Sequence, residues 1–282
     1  MYRKKLKTKW LTFITMVIFT AMMVTACGGS QSNTGSQSSG GDQKAAQGNG
    51  SGAGAKKTIH VGTDAAYPPF EKQGPDGVPV GFDMDIIKAV AKVNNWDVDL
   101  KHTGWDPLFE AIKTGTRDVG ISAITIKPDR QKLYDFSEPY FDAYQLIMVP
   151  EDSKVTKAED LKGLRVGVQN GTTGADLAEK ILGKGSPNLK GYDDTPSAVE
   201  DLYAKRVDAV VADNGVLNDY LRTSGKKGFK VVKDPKVQPE QYGIMVKKGN
   251  KELLDAINNG LKTIKQNGTY DQIYKQYFGE QK

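Results

Sequence analysis

The amino-acid sequence predicts an α/β protein built as two lobes. Short β-branched segments alternate with amphipathic helical segments from about residue 58 to residue 279, which favours mostly parallel sheets. This part of the chain is about 225 residues long, a size that suits two hydrophobic cores better than one. A weak internal repeat supports the same division, because residues 110–119 resemble residues 199–209.

The first 26 residues have the features of a secretory signal peptide. Five Lys or Arg side chains precede an apolar run over residues 11–24, which is shorter than the roughly 20 residues that a membrane span requires. Removing these 26 residues leaves 34 basic and 34 acidic side chains. The mature chain therefore has no net charge, and its electrostatics give no basis for nucleic-acid binding.

Cys27 is the only cysteine of the chain and follows the short residues Val24, Thr25 and Ala26. This arrangement resembles the lipobox of bacterial lipoproteins, and a single cysteine excludes a disulfide framework. Residues 27–56 would then be a lipidated cysteine and a tether rich in Gly, Ser and Gln, with a reach on the order of 30 Å. We therefore expect a body that a lipid such as palmitate holds at a membrane surface without embedding it.

The elements of the body are predicted from β-branched runs for strands and from apolar residues at helical spacing for helices. The predicted strands cover residues 59–62, 98–101, 119–124, 144–149, 165–168, 209–212, 230–233 and 242–246. The predicted helices cover residues 83–93, 107–113, 177–182, 196–205, 216–223, 252–266 and 270–278, and another begins at Pro128. Ligands of open α/β sheets bind beyond the carboxyl ends of strands, so we expect a site where polar strand ends meet.

The stretch over residues 121–130 predicts a site for a small anion. A buried strand runs into Ser122, Ala123 and Thr125, and the next helix begins shortly before Arg130. The Arg130 guanidinium would thus join free backbone N–H groups at the positive end of the helix dipole. Such a site can grip a carboxylate with two hydrogen bonds, although a surface arginine on an ordinary capped helix fits the pattern as well.

Asp64 and two aromatic residues form a second candidate group. Asp64 follows a predicted strand, Tyr67 lies at a turn stiffened by two prolines, and Trp105 lies at a helix entrance. The two rings could flank a cationic side chain, each contributing roughly 0.5–2 kcal/mol. A solvated loop carboxylate and two packing rings are the ordinary alternatives.

Two segments in the second half of the body complete the set. Residues 168–176 include Gln169 and Thr173 in a Gly/Thr-rich turn between a strand and a helix, which predicts a second anion-accepting helix start. This turn lacks the lysine and the spacing of a phosphate-binding loop, so nucleotide binding is disfavoured. Asp213, at another strand end, could pair with an ammonium group or could cap the following helix.

Short motifs distributed from residue 57 to residue 279 resemble those of one known family. They are Gly62-Thr63-Asp64, Pro69-Phe70-Glu71, Gly81-Phe82-Asp83-Met84-Asp85, Ala123-Ile124-Thr125-Ile126 with Arg130, Asp135-Phe136-Ser137-Glu138-Pro139-Tyr140, Gly171-Thr172-Thr173-Gly174 and Asn267-Gly268-Thr269-Tyr270. The chain is similar in these motifs to the polar amino-acid-binding proteins of ATP-driven (ABC) importers. These are extracytoplasmic solute-binding proteins with the type II periplasmic-binding-protein fold, in which two hinge strands join two α/β lobes.

The resemblance implies a role for each candidate side chain. Arg130 would hold the α-carboxylate of an amino acid, with the N–H groups of Thr125 and Thr173. Asp213 would hold the α-ammonium, with the Thr125 hydroxyl and the Ala123 carbonyl. The ligand side chain would meet the remaining candidates: Tyr67 and Trp105 on its flanks, and Asp64, Ser122 and Gln169 at its far end.

The resemblance also implies a domain division and a cellular context. Lobe 1 would comprise residues 57–142 and 239–282, lobe 2 residues 143–238, and the hinge strands would lie near residues 140–144 and 236–241. We expect a monomer without catalytic residues, cofactor or metal. A lipid would anchor it at the outer face of a bacterial cell membrane, where it delivers a free amino acid to an ABC permease.

The candidate pocket predicts a basic ligand. Glutamine binders of the family carry a lysine at the position of Gln169 and a histidine at the position of Ala212, and this chain has neither. Asp64 and two electron-rich rings suit a cation, so we expect arginine first, then lysine or histidine. The alternatives are another polar amino acid such as glutamine, a dehydratase-like enzyme, or a sensor module on the same fold.

Overall fold

The computed structural model describes residues 56–280, so the predicted signal peptide, Cys27 and almost all of the tether lie outside the described residues. The strands of this range are β1 (Lys57–Thr63), β2 (Ala66–Tyr67), β3 (Glu71–Gln73), β4 (Pro79–Val80), β5 (Trp96–His102), β6 (Val119–Gly120), β7 (Tyr134–Phe136), β8 (Phe141–Ala143), β9 (Gln145–Pro150), β10 (Val166–Gln169), β11 (Leu189–Tyr192), β12 (Ala209–Asp213), β13 (Phe229–Val232), β14 (Glu240–Tyr242) and β15 (Met245–Lys247). The helices are α1 (Phe82–Val93), α2 (Trp105–Thr114), α3 (Pro128–Leu133), α4 (Thr173–Leu182), α5 (Thr195–Tyr203), α6 (Asn214–Thr223), α7 (Lys251–Gln266) and α8 (Thr269–Phe278), with a 3₁₀ turn at Ala158–Leu161.

Two five-stranded sheets of the same design form the two lobes. The first sheet has the strand order β5-β1-β6-β15-β7, and the second has the order β11-β10-β12-β9-β13. In each sheet the first three strands are parallel, and the other pairings are antiparallel. The predicted internal repeat is present, since β1 and β10 hold the same place in their sheets, as do β6 and β12. The predicted two-lobed α/β fold is therefore confirmed.

A two-stranded ribbon connects the sheets. Strand β8 leads into β9 of the second sheet, and β14 leads back toward β15 of the first, with Glu240 opposite Ala143. The first crossing lies within the stretch predicted as a hinge, whereas the returning strand starts at Glu240, later than predicted. The predicted lobe limits at residues 142–143 and 238–239 stay a prediction.

The core of the first lobe lies between its sheet and the helices α1, α7 and α8. Helix α1 presents Phe82, Ile86 and Val90 at helical spacing, and all three side chains are fully buried. A Cβ at Gly260 of α7 would lie 2.8 Å from a Val90 methyl group, so glycine permits the close approach of the two helices. The motif that begins α1 therefore has a packing function.

The second sheet is covered on both faces. Along β9, Ile147 and Val149 belong to one buried cluster, and Leu146 and Met148 belong to another. This alternation is the period of a strand with apolar residues on both sides, as expected where helices cover a mostly parallel sheet. Between residues 56 and 280, no helix combines the length and the apolar composition that crossing a bilayer requires.

Several elements differ from the predicted boundaries. The strand predicted over residues 119–124 is regular only at Val119–Gly120. Ala123 has a φ of 47°, and its N–H donates to Asp83 at 2.7 Å, so the chain turns out of the sheet there. Helices α2 and α4 begin earlier than predicted, and the short strands β2, β3, β4, β7 and β11 were not predicted.

Candidate ligand-binding site

A cavity lies between the two lobes, beyond the carboxyl ends of the parallel strands. Every side chain that the sequence proposed as a ligand contact lines it, and so do two that the sequence did not propose, Glu71 and Thr172. The lining residues are Asp64, Tyr67, Glu71, Trp105, Ser122, Ala123, Thr125, Arg130, Gln169, Thr172, Thr173 and Asp213. The topology therefore brings together residues that lie up to about 150 positions apart.

Arg130 provides the positive end of the cavity. Pro128 begins α3, which places Arg130 in the first turn, and its side chain is buried. Its guanidinium donates to the Thr125 carbonyl at 3.0 Å and to the Gly171 carbonyl at 3.1 Å. Burial lowers the pKa of Arg130 from its ordinary value, yet arginine remains a cation in proteins. The sequence alternative of an exposed arginine is thus wrong.

Aromatic rings cover the Arg130 guanidinium. Its central carbon lies 5.3 Å from the ring centroids of both Trp105 and Phe109, within cation–π range. Trp105 also packs edge-on against Phe109, with the ring centroids 5.0 Å apart. Trp105 therefore combines the packing role and the cavity-lining role that the sequence had left as alternatives.

Asp213 provides the negative end on the second lobe. It ends β12 immediately before α6, but its side chain makes no capping hydrogen bond. The carboxylate instead accepts a short hydrogen bond from the Tyr67 hydroxyl and one from Gln145 Nε2 at 2.8 Å. Burial, and after it the negative charge of Glu240, raises the pKa of Asp213 to about 7.

Asp64 and Gln169 meet at the other end of the cavity. The buried Asp64 carboxylate accepts from Gln169 Nε2 at 2.9 Å, and burial raises the pKa of this carboxyl. Gln169 is fixed in turn by the Thr195 hydroxyl, which donates to its Oε1 at 2.9 Å. The Ser122 hydroxyl accepts from the Asp64 N–H at 3.0 Å. Asp64 is therefore buried and fixed by hydrogen bonds, so the alternative of a solvated loop carboxylate is wrong.

A buried pair of carboxyl groups, Glu71 and Asp83, lies next to Ser122 at this end of the cavity. Glu71 accepts from the Ser122 hydroxyl at 2.6 Å, and Asp83 accepts from the Tyr140 hydroxyl at 2.9 Å. Burial, and after it the Asp83 charge, raises the pKa of Glu71 well above its ordinary value. Burial also raises the pKa of Asp83 to about 7. The sequence signals for Glu71 are its place after the rigid Pro68-Pro69 turn and its membership of the Pro69-Phe70-Glu71 motif.

The two lobes contact each other around the cavity. Three cavity residues of the first lobe cross to the second: Arg130 to Gly171, Asp64 to Gln169 and Tyr67 to Asp213. At the rim, Lys127 Nζ lies 2.7 Å from the Asp176 carboxylate. The structure therefore shows the lobes closed on the cavity, and the polar wall is complete only in this arrangement.

The model of one protein family matches residues 59–280 and is described as bacterial extracellular solute-binding proteins, family 3. The chain belongs to this family. The resemblance inferred from the motifs is confirmed, and family 3 solute-binding proteins are extracellular. This family 3 chain is also similar to individual proteins of known structure or sequence.

Three relatives illustrate the similarity. The crystal structures of the arginine-, lysine-, histidine-binding protein ArtJ from Geobacillus stearothermophilus include one with 45% sequence identity and a TM-score of 0.77, over 80% of this chain and 97% of that chain. An ancestral amino-acid-binding protein, a precursor of cyclohexadienyl dehydratase, shares 37% identity with a TM-score of 0.71, over 78% of this chain and 95% of that chain. ABC transporter arginine-binding protein 1 of Escherichia coli is 36% identical, over 80% of this chain and 93% of its own length.

Proposed function

We propose that this family 3 protein is the amino-acid-binding component of an ATP-driven importer and that it binds a basic amino acid, arginine first and then lysine or histidine. The observation that carries the proposal is the charge order of the cavity. A buried cation, Arg130, faces two buried carboxyl groups, Asp213 and Asp64. An amino acid with a cationic side chain has one carboxylate and two cationic groups, which complement these three charges.

Each end of the ligand has a proposed partner. The α-carboxylate binds Arg130 and the N–H groups of Thr125 and Thr173, the latter of which begins α4. The α-ammonium binds Asp213, and the side chain extends past Tyr67 and Trp105. The Ala123 carbonyl also binds the α-ammonium. Asp64, Ser122 and Gln169 contact the cationic end of the ligand side chain.

Closure of the lobes supplies the transport signal. Arg130 and Asp64 belong to the first lobe, and Gln169, Thr173 and Asp213 belong to the second. Only the closed form makes all the contacts, so the ligand stabilises closure by its differential affinity for that form. A permease can then recognise the outer faces of the closed lobes.

Calorimetric titration of the refolded protein with the standard amino acids tests the proposal. We expect tight binding of arginine, lysine or histidine, with one ligand bound per chain. We also expect light scattering to show that the protein is a monomer. Tight glutamine binding without arginine binding would retain the family and contradict the charge argument. Binding of no amino acid would contradict the proposal and return the enzyme and sensor alternatives.

Asp64→Asn is expected to change selectivity. The variant keeps the volume and the hydrogen-bonding capacity at the far end of the pocket but removes its charge. A hydrogen bond to a charged group contributes about 1.5–3 kcal/mol, so arginine binding should weaken about 10- to 100-fold, while citrulline, the neutral isostere of arginine, should lose little. Competition calorimetry with both ligands measures the change.

Asp106→Asn is the matched control for this experiment. Asp106 is exposed on α2 near the mouth of the cleft, so it carries the same charge without the buried contact. Equal weakening of arginine by both variants would mean that Asp64 acts only through the general field of the cleft.

We further propose that Cys27 carries the lipid that anchors the protein to the membrane. Support comes from the short residues before Cys27, the Gly/Ser-rich segment after it and the extracellular family of the chain. Cells that express the protein should incorporate labelled palmitate into it, and Cys27→Ser should abolish the label and release the protein from the membrane fraction. Label that persists in Cys27→Ser would refute this attachment site.

A further inference from the structure

Glu240 lies just outside the cavity, at the start of the returning ribbon strand β14. Its backbone is opposite Ala143 of β8, so it belongs to the connection between the lobes and to neither sheet. The residue is half-buried, and its carboxylate points toward the two threonines that line the cavity. No candidate role had been assigned to this carboxylate from the sequence.

One oxygen of Glu240 connects the two lobes. Its Oε2 accepts from the Thr125 hydroxyl of the first lobe at 2.7 Å and from the Thr173 hydroxyl of the second lobe at 2.8 Å. The other oxygen, Oε1, lies 3.4 Å from Gln145 Nε2. Gln145 in turn donates to Asp213 at 2.8 Å and to the Thr173 hydroxyl at 3.1 Å. A hinge carboxylate therefore sits behind the proposed ammonium site.

The hydrogen bonds to Glu240 determine the direction in which the Thr125 and Thr173 hydroxyls donate. A hydroxyl has one donor and two acceptor lone pairs. Because Thr125 and Thr173 both direct their single proton to Glu240, the remaining lone pairs of these hydroxyls can only accept. An ammonium group can only donate, so a hydroxyl held in this orientation complements it. The charge of Glu240 is also a cause of the raised pKa of Asp213, which shows that it acts on this end of the cavity.

We infer that Glu240 is a positioning residue for α-ammonium recognition, which it serves by orienting the Thr125 and Thr173 hydroxyls as acceptors when the lobes close. The inference rests on the proposed function, because it specifies how an amino acid is recognised. It adds a hinge residue that need not contact the ligand. The amide of Glu240→Gln would donate as well as accept, so it would allow one threonine hydroxyl to turn its proton toward the ligand.

The test compares arginine with 5-guanidinopentanoate, which is arginine without its α-amino group. Glu240→Gln should weaken arginine binding about tenfold and should change binding of the analogue less than twofold. Glu138→Gln, which removes the same charge at an exposed position between β7 and β8, is the control and should change neither. Unchanged arginine binding, or equal weakening of both ligands, would overturn the inference.

A double-mutant cycle separates orientation of the hydroxyl from a direct effect of the charge. In a background that carries both Thr125→Val and Thr173→Val, Glu240→Gln should weaken arginine binding less than twofold, because both hydroxyls that it orients are gone. A tenfold effect that persists there would show a through-space charge effect and refute the positioning role.

If the unsubstituted protein binds no amino acid, the proposed function fails and this inference with it, whereas normal binding by Glu240→Gln refutes the inference alone. Thermal unfolding of each unliganded variant confirms that it is folded.

Discussion

Asp213→Asn is expected to weaken arginine binding by about 150- to 5,000-fold and to stabilise the unliganded protein at pH 8. Removing one partner of a buried charge pair costs about 3–5 kcal/mol, because the ligand ammonium is then buried without a counter-charge. The amide retains the shape of the carboxyl group and can still accept from the Tyr67 hydroxyl. The loss should therefore come from charge and not from packing.

The stability gain follows from the raised pKa of the same carboxyl. Its pKa in the folded protein is about 7, against an ordinary value of 3.8, so the protonated form is favoured on folding. Such a contribution is fully present below about pH 4 and is lost as the pH rises through 7. At pH 8 the ionised Asp213 opposes folding, and Asn removes this penalty, which we expect to be about 1–3 kcal/mol. At pH 4 the two proteins should be similarly stable.

Urea unfolding at pH 4 and pH 8, together with calorimetry of arginine binding, measures both effects. Asp208→Asn is the control, because Asp208 precedes β12 and its bond to Arg165 lowers the pKa of its carboxyl. Its contribution to stability is present above its unfolded pKa, so this control should be slightly less stable at pH 8 and should bind arginine normally. A destabilised Asp213→Asn protein at pH 8 would contradict the electrostatic account.

Arg130→Lys is expected to weaken arginine binding by about 100- to 1,000-fold. A lysine keeps the charge but cannot present two parallel N–H groups to a carboxylate. It also loses the planar group that packs against Trp105 and Phe109 and the bond to the Gly171 carbonyl across the cleft. Losing two charge-assisted hydrogen bonds near the lower end of about 1.5–3 kcal/mol each accounts for this magnitude, since lysine keeps the charge.

Agmatine, which is arginine without the carboxylate, identifies the group that Arg130 serves. The variant should weaken agmatine binding far less than arginine binding, because agmatine loses only the shared effect of the bond to Gly171, so the preference for arginine over agmatine should largely disappear. Arg117→Lys is the control, because Arg117 is also largely buried and ion-paired, with Asp99, away from the cavity. If arginine and agmatine weaken equally in Arg130→Lys, then Arg130 acts through lobe closure and not through the carboxylate.

The sequence could predict the fold because the alternation of strands and helices repeats in both lobes. It could also locate Asp64, Arg130 and Asp213, since each lies at or just after the end of a strand or in the first turn of the next helix, and parallel strands bring such ends to one edge. What it could not predict was the orientation of each side chain. Whether Asp213 caps α6 or faces the cavity depends on Tyr67 and Gln145, which approach from other elements.

The sequence did not predict a role for Glu240 or Glu71, because the contacts of both side chains come from residues far away in the sequence. Glu240 contacts Thr125 across 115 positions of sequence. It is the first residue of β14, and the segment before it, residues 233–239, contains no helix or strand that would indicate its position. Glu71 lies on a three-residue strand, where a glutamate ordinarily faces water. Its burial follows from the Ser122 hydroxyl and the Asp83 carboxyl group, and neither contact leaves a periodic pattern in the sequence.

The position of β15 in the first sheet determines the order in which the protein can be completed during synthesis. This strand pairs with β6 and β7, yet Met245 lies 125 positions after Gly120 and 109 positions after Phe136, and the whole second sheet is encoded in between. The strands of the second sheet, β9 to β13, are consecutive in the chain and can pair as soon as they emerge. The first sheet, although it begins earlier, lacks its fourth strand until almost the entire chain is available. A nascent chain therefore carries an unpaired edge on β6, a place where strands of other molecules can add, until its last 40 or so residues arrive.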